Sequence, residues 1–189
     1  QDGLVLNLDA GVNKSYPRNG TTWYDLSNNG NATLANSPTF DRDNGGNIIL
    51  DGSNDAITIS ELTFSPTGFT YSFTAKFGTS QSVGYPRIIA GGADIEWWIG
   101  GPHALRWRWA GGDPSVINSN ANYFIQDAIH IYTITYTSPN LTIYRDGSLF
   151  QTMTYTSSTS TNFNALMNKS NYSRPLGGNI YQCLLYNKT

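Results

Sequence analysis

The sequence predicts an all-β protein, an antiparallel β-sandwich of the jelly-roll kind with almost no helix. Apolar and polar residues alternate with period two in short runs, most cleanly where Phe69, Tyr71, Phe73, Ala75 and Phe77 interleave with Thr70, Ser72, Thr74 and Lys76. The 19 Gly and 8 Pro of the 189-residue chain cut it into many such runs. No stretch carries apolar residues at helical spacing, and the Ala, Glu and Lys of a helical surface are scarce.

Residues 3–11 form the first predicted strand, with Leu4, Leu6 and Leu8 on one face and Asn7 and Asp9 on the other. Neither a basic leader nor an apolar signal core precedes it, which is the pattern of a domain start. Residues 13–31 are polar and turn-rich, and are expected to form a long ordered loop anchored by Tyr16, Trp23 and Tyr24. Residues 47–50 and 56–59 read as a hairpin turned by Asp51-Gly-Ser-Asn-Asp55. The alternating run 69–77 is a core strand. Further strands are predicted at 87–90, 95–99 and 104–110, the last two joined by Gly100-Gly-Pro-His103. Residues 129–136, 141–145 and 149–155 form a meander turned by Ser138-Pro-Asn140 and Asp146-Gly147, the latter a strong hairpin signal. A Ser/Thr-rich bridge over 156–161 is expected as an exposed loop, and 179–186 is apolar enough for the sheet interior. With no internal repeat and no linker, one domain is expected over residues 1–189.

Composition narrows the function classes. The chain is 13% charged with a net charge of −2, whereas phosphate binding needs a concentrated basic surface, so nucleic acid is not an expected partner. No apolar run reaches the ~18 residues of a spanning helix, and membrane insertion is not expected. The lone cysteine, Cys183, excludes an internal disulfide and a cysteine-rich zinc site; in the last strand it reads as a buried inert thiol.

Five phrases, in order along the whole chain, carry a family resemblance. They are Gly3-Leu-Val-Leu-Asn-Leu-Asp-Ala-Gly11, Thr22-Trp-Tyr-Asp-Leu-Ser-Asn-Asn-Gly-Asn31, Leu50-Asp-Gly-Ser-Asn-Asp55, Tyr144-Arg-Asp-Gly-Ser-Leu149, and Gly178-Asn-Ile-Tyr181 with Tyr186-Asn187. Together they resemble the laminin-G-like jelly-roll branch of the concanavalin A-like lectin/glucanase superfamily. The resemblance implies glycan or surface binding, as in bacterial extracellular proteins and in phage tail fibres and other virion appendages. The chain departs from the family pattern at Asn28, where glycine is common, and at Ala56, where an aromatic is common. Asn tolerates left-handed backbone, so the first change is mild; the second removes a ring.

Sugar rings present flat C–H faces rimmed by hydroxyls, so a site for them needs aromatic surfaces flanked by charged and amide groups. Alternation in Arg106-Trp-Arg-Trp109 puts Trp107 and Trp109 opposite Arg106 and Arg108, and in the preceding strand Asp94, Glu96 and Trp98 share the face opposite Trp97. The candidate ligand contacts are therefore Trp98, Trp107, Trp109, Asp94, Glu96, Arg106, Arg108 and His103, with the competing reading that the tryptophans are core. The Arg pair and the Trp pair face opposite ways, so these residues cannot all share one cleft. A retaining hydrolase of this fold would need a third acidic position after Asp94 and Glu96, which is missing. A lyase would need a compact Gln/His pair, and Gln126-Asp-Ala-Ile-His130 is not one. Calcium is the expected ion, as a structural one, since related jelly rolls often hold it and oxygen ligands abound. Asp25 with Asn31, and Asp51 with Asp55, are its candidate ligands, Asx-turns being the alternative. The preferred function is a non-catalytic carbohydrate-binding module of an extracellular or virion-surface protein, with glycan or polysaccharide as partner. The alternatives are a structural module that packs against neighbouring subunits of a virion or surface appendage, and a polysaccharide hydrolase or lyase.

Overall fold

The computed structural model describes residues 2–78, 85–91, 96–101, 103–108, 117–156, 160–169, 171 and 173–188, with the backbone alone at Glu96 and Ile117. In chain order the strands are β1 (Leu4–Asp9), β2 (Thr22–Trp23), β3 (Ala32–Ala35), β4 (Thr39–Asp41), β5 (Asn47–Asp51), β6 (Ala56–Phe64), β7 (Gly68–Phe77) and β8 (Arg87–Ala90). They continue with β9 (Glu96–Gly100), β10 (Ala104–Arg108), β11 (Ile117–Asn118), β12 (Ile129–Thr137), β13 (Asn140–Arg145), β14 (Ser148–Thr154), β15 (Thr161–Leu166) and β16 (Gly177–Tyr186). One 3-10 turn, Asp43–Gly45, is the helical content of the described residues.

The strands form two antiparallel sheets. The first runs β14-β13-β12-β7-β16-β5-β4, with β1 also paired to β16, and the second runs β11-β10-β9-β8-β15-β6-β3-β2. Alternation in β7 places Phe69, Tyr71, Phe73, Ala75 and Phe77 inward, all buried. From the second sheet Trp97 and Trp107 meet them, their rings 5.6 and 5.8 Å from that of Phe69. Each such aromatic removes a large apolar surface from water, stabilising by roughly 1.5–3 kcal/mol. The core is therefore a layer of rings between the two sheets.

The Asp146-Gly147 hairpin forms as expected, with φ of 52° and 75° at its two central residues. Strand β16 lies between β7 and β5, where Gly178 pairs with Phe77 on one side and Leu50 on the other. A Cβ on Gly178 would lie 2.3 Å from the Lys76 carbonyl, and its φ of 144° suits glycine alone. Cys183 is buried beside the Tyr71 hydroxyl, 3.6 Å away, and burial pushes its thiol up to about 12. An inert thiol is what that environment gives.

Three expectations are corrected. Residues 51–55 do not turn a hairpin, because β5 belongs to the first sheet and β6 to the second, so this turn carries the chain across the sandwich. The rings of Tyr16 and Trp23 anchor the loop after β1, but the Tyr24 side chain is 45% exposed, and only its backbone ties the loop down. Short strands β2, β3, β4, β11 and β15 join segments read as loop or left unassigned. Within the Ser/Thr bridge, residues 157–159 lie outside the described residues.

Candidate functional site

The ladder between β9 and β10 pairs Trp97 with Trp107, and Trp98 with Arg106. Residues directly opposite in an antiparallel ladder share a face. Trp97 and Trp107 therefore both point inward, completely buried, with rings stacked 4.0 Å apart at 20°. Trp107 is thus a core residue, and its expected role as a sugar platform is corrected: no part of its ring reaches solvent.

Trp98 and Arg106 point to the outer face, but Trp98 is only 9% exposed, so its expected role as an open sugar platform is corrected as well. On the other side of Trp98 lies its β8 partner Arg87, whose guanidinium sits 4.9 Å from the indole centroid. Arg87 Nη1 also donates to the Tyr85 carbonyl at 2.6 Å. The Arg106 guanidinium lies 5.4 Å from the Tyr85 ring, which is 49% exposed. Gly100 leaves room for the Arg106 stem, since a Cβ there would lie 2.3 Å from Arg106 Nε. That Nε is buried without a hydrogen-bond partner among the described residues. Arg87, Trp98 and Arg106 thus lie side by side across β8, β9 and β10, with Tyr85 from the segment before β8 against Arg106, each cation–π contact worth roughly 0.5–2 kcal/mol. Such a surface offers flat apolar faces beside fixed N–H donors.

The remaining expected contacts fall out as follows. Arg108 pairs with Glu96 across the ladder and is half-buried on the same outer face as Arg106. His103 closes the β9–β10 turn at φ 53°, its carbonyl accepting the Phe124 amide at 3.0 Å. Asp94 and Trp109 lie outside the described residues, as does the Glu96 side chain. Tyr85 and Arg87 are additions that the sequence reading missed. Tyr85 precedes Pro86 in no alternating pattern, so only the three-dimensional path of the chain brings it to Arg106. Gln126 and His130 do not form a lyase-like pair: Gln126 Nε2 donates to the Gly78 carbonyl at 3.2 Å, and His130 Nδ1 lies 2.6 Å from Asp146 Oδ2.

The acidic turns are Asx-turns. The Asp25 carboxylate accepts the amides of Asn7, Ser27 and Asn29 at 2.7, 2.9 and 2.9 Å and the Ser27 hydroxyl at 2.6 Å. Asn31 Oδ1 accepts the Asp25 amide at 3.1 Å. Asp51 Oδ1 accepts amides from Ser53 and Asn54, and Asp55 Oδ2 accepts the Asp51 amide at 3.0 Å. A cation would meet four hydrogens at Asp25, and no group of three or more His, Cys, Asp or Glu is gathered among the described residues. Burial outweighs the Asp51 amide and raises the Asp55 carboxyl above its ordinary value.

Residues 51–189 match the laminin-G-type profile described as the concanavalin A-like lectin/glucanases superfamily. The chain belongs to this superfamily. Among curated proteins no sequence match is found. Domain 4 of an extracellular arabinanase from Geobacillus stearothermophilus, in complex with arabinotriose, superposes with a TM-score of 0.72 at 14% identity, covering 97% of this chain and 91% of that one. The binding domain of botulinum neurotoxin DC, in complex with SialylT, gives 0.71 at 16% identity, covering 99% of this chain and 48% of that one. Trypanosoma rangeli sialidase in complex with sialic acid gives 0.66 at 15% identity, covering 98% of this chain and 31% of that one. These likenesses fix the fold, shared by parts of enzymes and by binding domains alike.

Proposed function

We propose that the chain is a non-catalytic carbohydrate-binding module, carried on the outside of a cell or a virion. The observation that carries this reading is the outer face of β8–β10, where Trp98 sits between Arg87 and Arg106 and exposed Tyr85 lies against Arg106. Tyr85 supplies the open ring face for a sugar and Arg106 and Arg108 the donors for hydroxyl or carboxylate oxygens, while Trp98, 9% exposed, lies beneath Arg87. The fold is that of domains solved with arabinotriose and SialylT, which supports a glycan as partner. The lack of catalysis is favoured by His130 and Gln126, whose side chains are committed to Asp146 and Gly78. No helix among the described residues is long and apolar enough to cross a membrane.

A glycan-array screen of the purified chain tests the reading, with Tyr85→Ala and Arg106→Ala run in parallel. Binding that both variants lose is expected. A blank array from folded protein, or binding untouched by either substitution, would overturn the function or the site respectively.

A further inference from the structure

A second cleft lies at the far edge of the second sheet. It has a volume of about 680 Å³ and is lined by Lys14, Tyr24, Asp25, Leu26, Asn28 and Asn31. That is within the roughly 300–1,000 Å³ of small-ligand sites. We propose that this cleft is a second saccharide-binding site, distinct from the Tyr85–Arg106 face.

Its frame is rigid. The Asp25 carboxylate, buried under four hydrogen bonds, ties the 25–29 loop to itself and to Asn7 of β1. Ser15 and Tyr24 clamp the two loops together: the Tyr24 amide donates to the Ser15 carbonyl at 2.7 Å, and Ser15 Oγ donates to the Tyr24 carbonyl at 2.7 Å. The Leu26 amide adds a bond to the Asn7 carbonyl at 2.9 Å. Backbone groups thus hold the loop and leave the Tyr24 ring exposed beside the cleft.

The polar inventory selects the ligand. Asp25 has no acceptor capacity to spare, and Asn31 Oδ1 already accepts the Asp25 amide, so the Asn31 NH2 is the side chain's chief contribution, as a donor. Lys14 is donor-only, and Asn28, at φ 65°, offers a further amide. A fitting ligand is rich in oxygen acceptors and has one flat apolar face for Tyr24, which describes a sugar ring bearing hydroxyls. Between β9 and β2 the sheet order interposes β8, β15, β6 and β3. At ~4.8 Å per strand the two sites are on the order of 20–25 Å apart. One polysaccharide chain could therefore be held at two points, raising avidity over either site alone.

The test is a heteronuclear NMR titration of the labelled chain with arabinotriose, cellotriose and sialyllactose, repeated on Tyr24→Ala, Tyr24→Phe and Arg106→Ala. The Tyr24 ring is exposed and its loop bonds are made by backbone, so the alanine variant keeps the fold. Shifts at the Asn28 and Asn31 side-chain amides are expected with at least one probe. They should weaken at least tenfold in Tyr24→Ala and persist in Tyr24→Phe and Arg106→Ala. Shifts confined to the Tyr85–Arg106 face would overturn the second site and leave the proposed function standing. Shifts confined to the Tyr24 cleft would support it and overturn the first site, and silence at both would overturn both.

Discussion

Trp97 and Trp107 stack 4.0 Å apart as direct ladder partners in the core, while the next rung pairs Trp98 with Arg106 on the opposite face. One strand pair thus supplies both the centre of the core and the centre of the candidate site. A single substitution can therefore separate stability from binding. Trp107→Ala, which empties a closed ring layer, should destabilise by roughly 3–5 kcal/mol. Trp98→Ala removes an indole that is 9% exposed and capped by Arg87, and should cost less, about 3 kcal/mol at most. Chemical denaturation compares them, and equal losses would place the two rings in equivalent environments, against this account.

Gly100 positions Arg106. The atoms that a Cβ would strike are Nε, Cδ and Cγ of the Arg106 side chain, with no backbone atom among them, so Gly100→Ala should keep the fold but push Arg106 off the Tyr85 ring. Glycan affinity should fall about tenfold or more, close to the effect of Arg106→Ala, with the thermal midpoint nearly unchanged. Unaltered affinity would show that Arg106 needs no such placement.

Asp25 acts as a structural acceptor. Asp25→Ala strands four donors, including the Asn7 amide of β1, and each buried unsatisfied group costs about 1–3 kcal/mol. A loss of at least 3 kcal/mol is expected by denaturant titration. Because these oxygens are occupied by hydrogens, the wild-type thermal midpoint should be the same with calcium and with chelator. A calcium-dependent rise lost in Asp25→Ala would contradict the assignment.

Two carboxylates should bend the pH profile in opposite senses. Partial burial opposes the charge on Asp146, but the Ile131 amide and His130 together outweigh it and hold its carboxyl below the ordinary 3.8. Its contribution is complete above pH 3.8 and is lost as pH falls through the lower folded value. Burial raises Asp55, so its contribution is complete below 3.8 and is lost as pH rises through the higher folded value. In thermal midpoints measured from about pH 2 to pH 7, Asp146→Asn should flatten the acid limb and Asp55→Asn the limb above about pH 4. Profiles parallel to wild type in both variants would refute these linkages.

What was legible in the sequence was local. Period-two alternation gave β7 and the β12–β14 meander because each strand's faces are set by its own residues and Asp146-Gly147 dictates its own turn. It also separated Trp97 from Trp98. Register between strands was not legible, since nothing within β10 says which of its residues faces Trp98; hence Trp107 was grouped with Trp98, and Arg106 proved to be its partner. Residues 51–55 failed for a related reason: Asx and Gly residues turn a chain equally well within a sheet or between two. Strand β15 did carry a signal, because Thr161, Phe163 and Ala165 alternate as buried residues with Asn162 and Asn164. Tyr24 and Tyr16 look alike in sequence, and only packing buries one and exposes the other.

The most direct test of the carbohydrate-binding face is to follow the indole N–H resonances while titrating a glycan that the array identifies. Trp98 lies under Arg87 on the outer face with 9% of its surface exposed, whereas Trp23, Trp97 and Trp107 are completely buried. Saturable movement of the Trp98 resonance, with those of Trp97 and Trp107 unmoved, is the predicted result. Binding that leaves the Trp98 resonance in place would contradict the account.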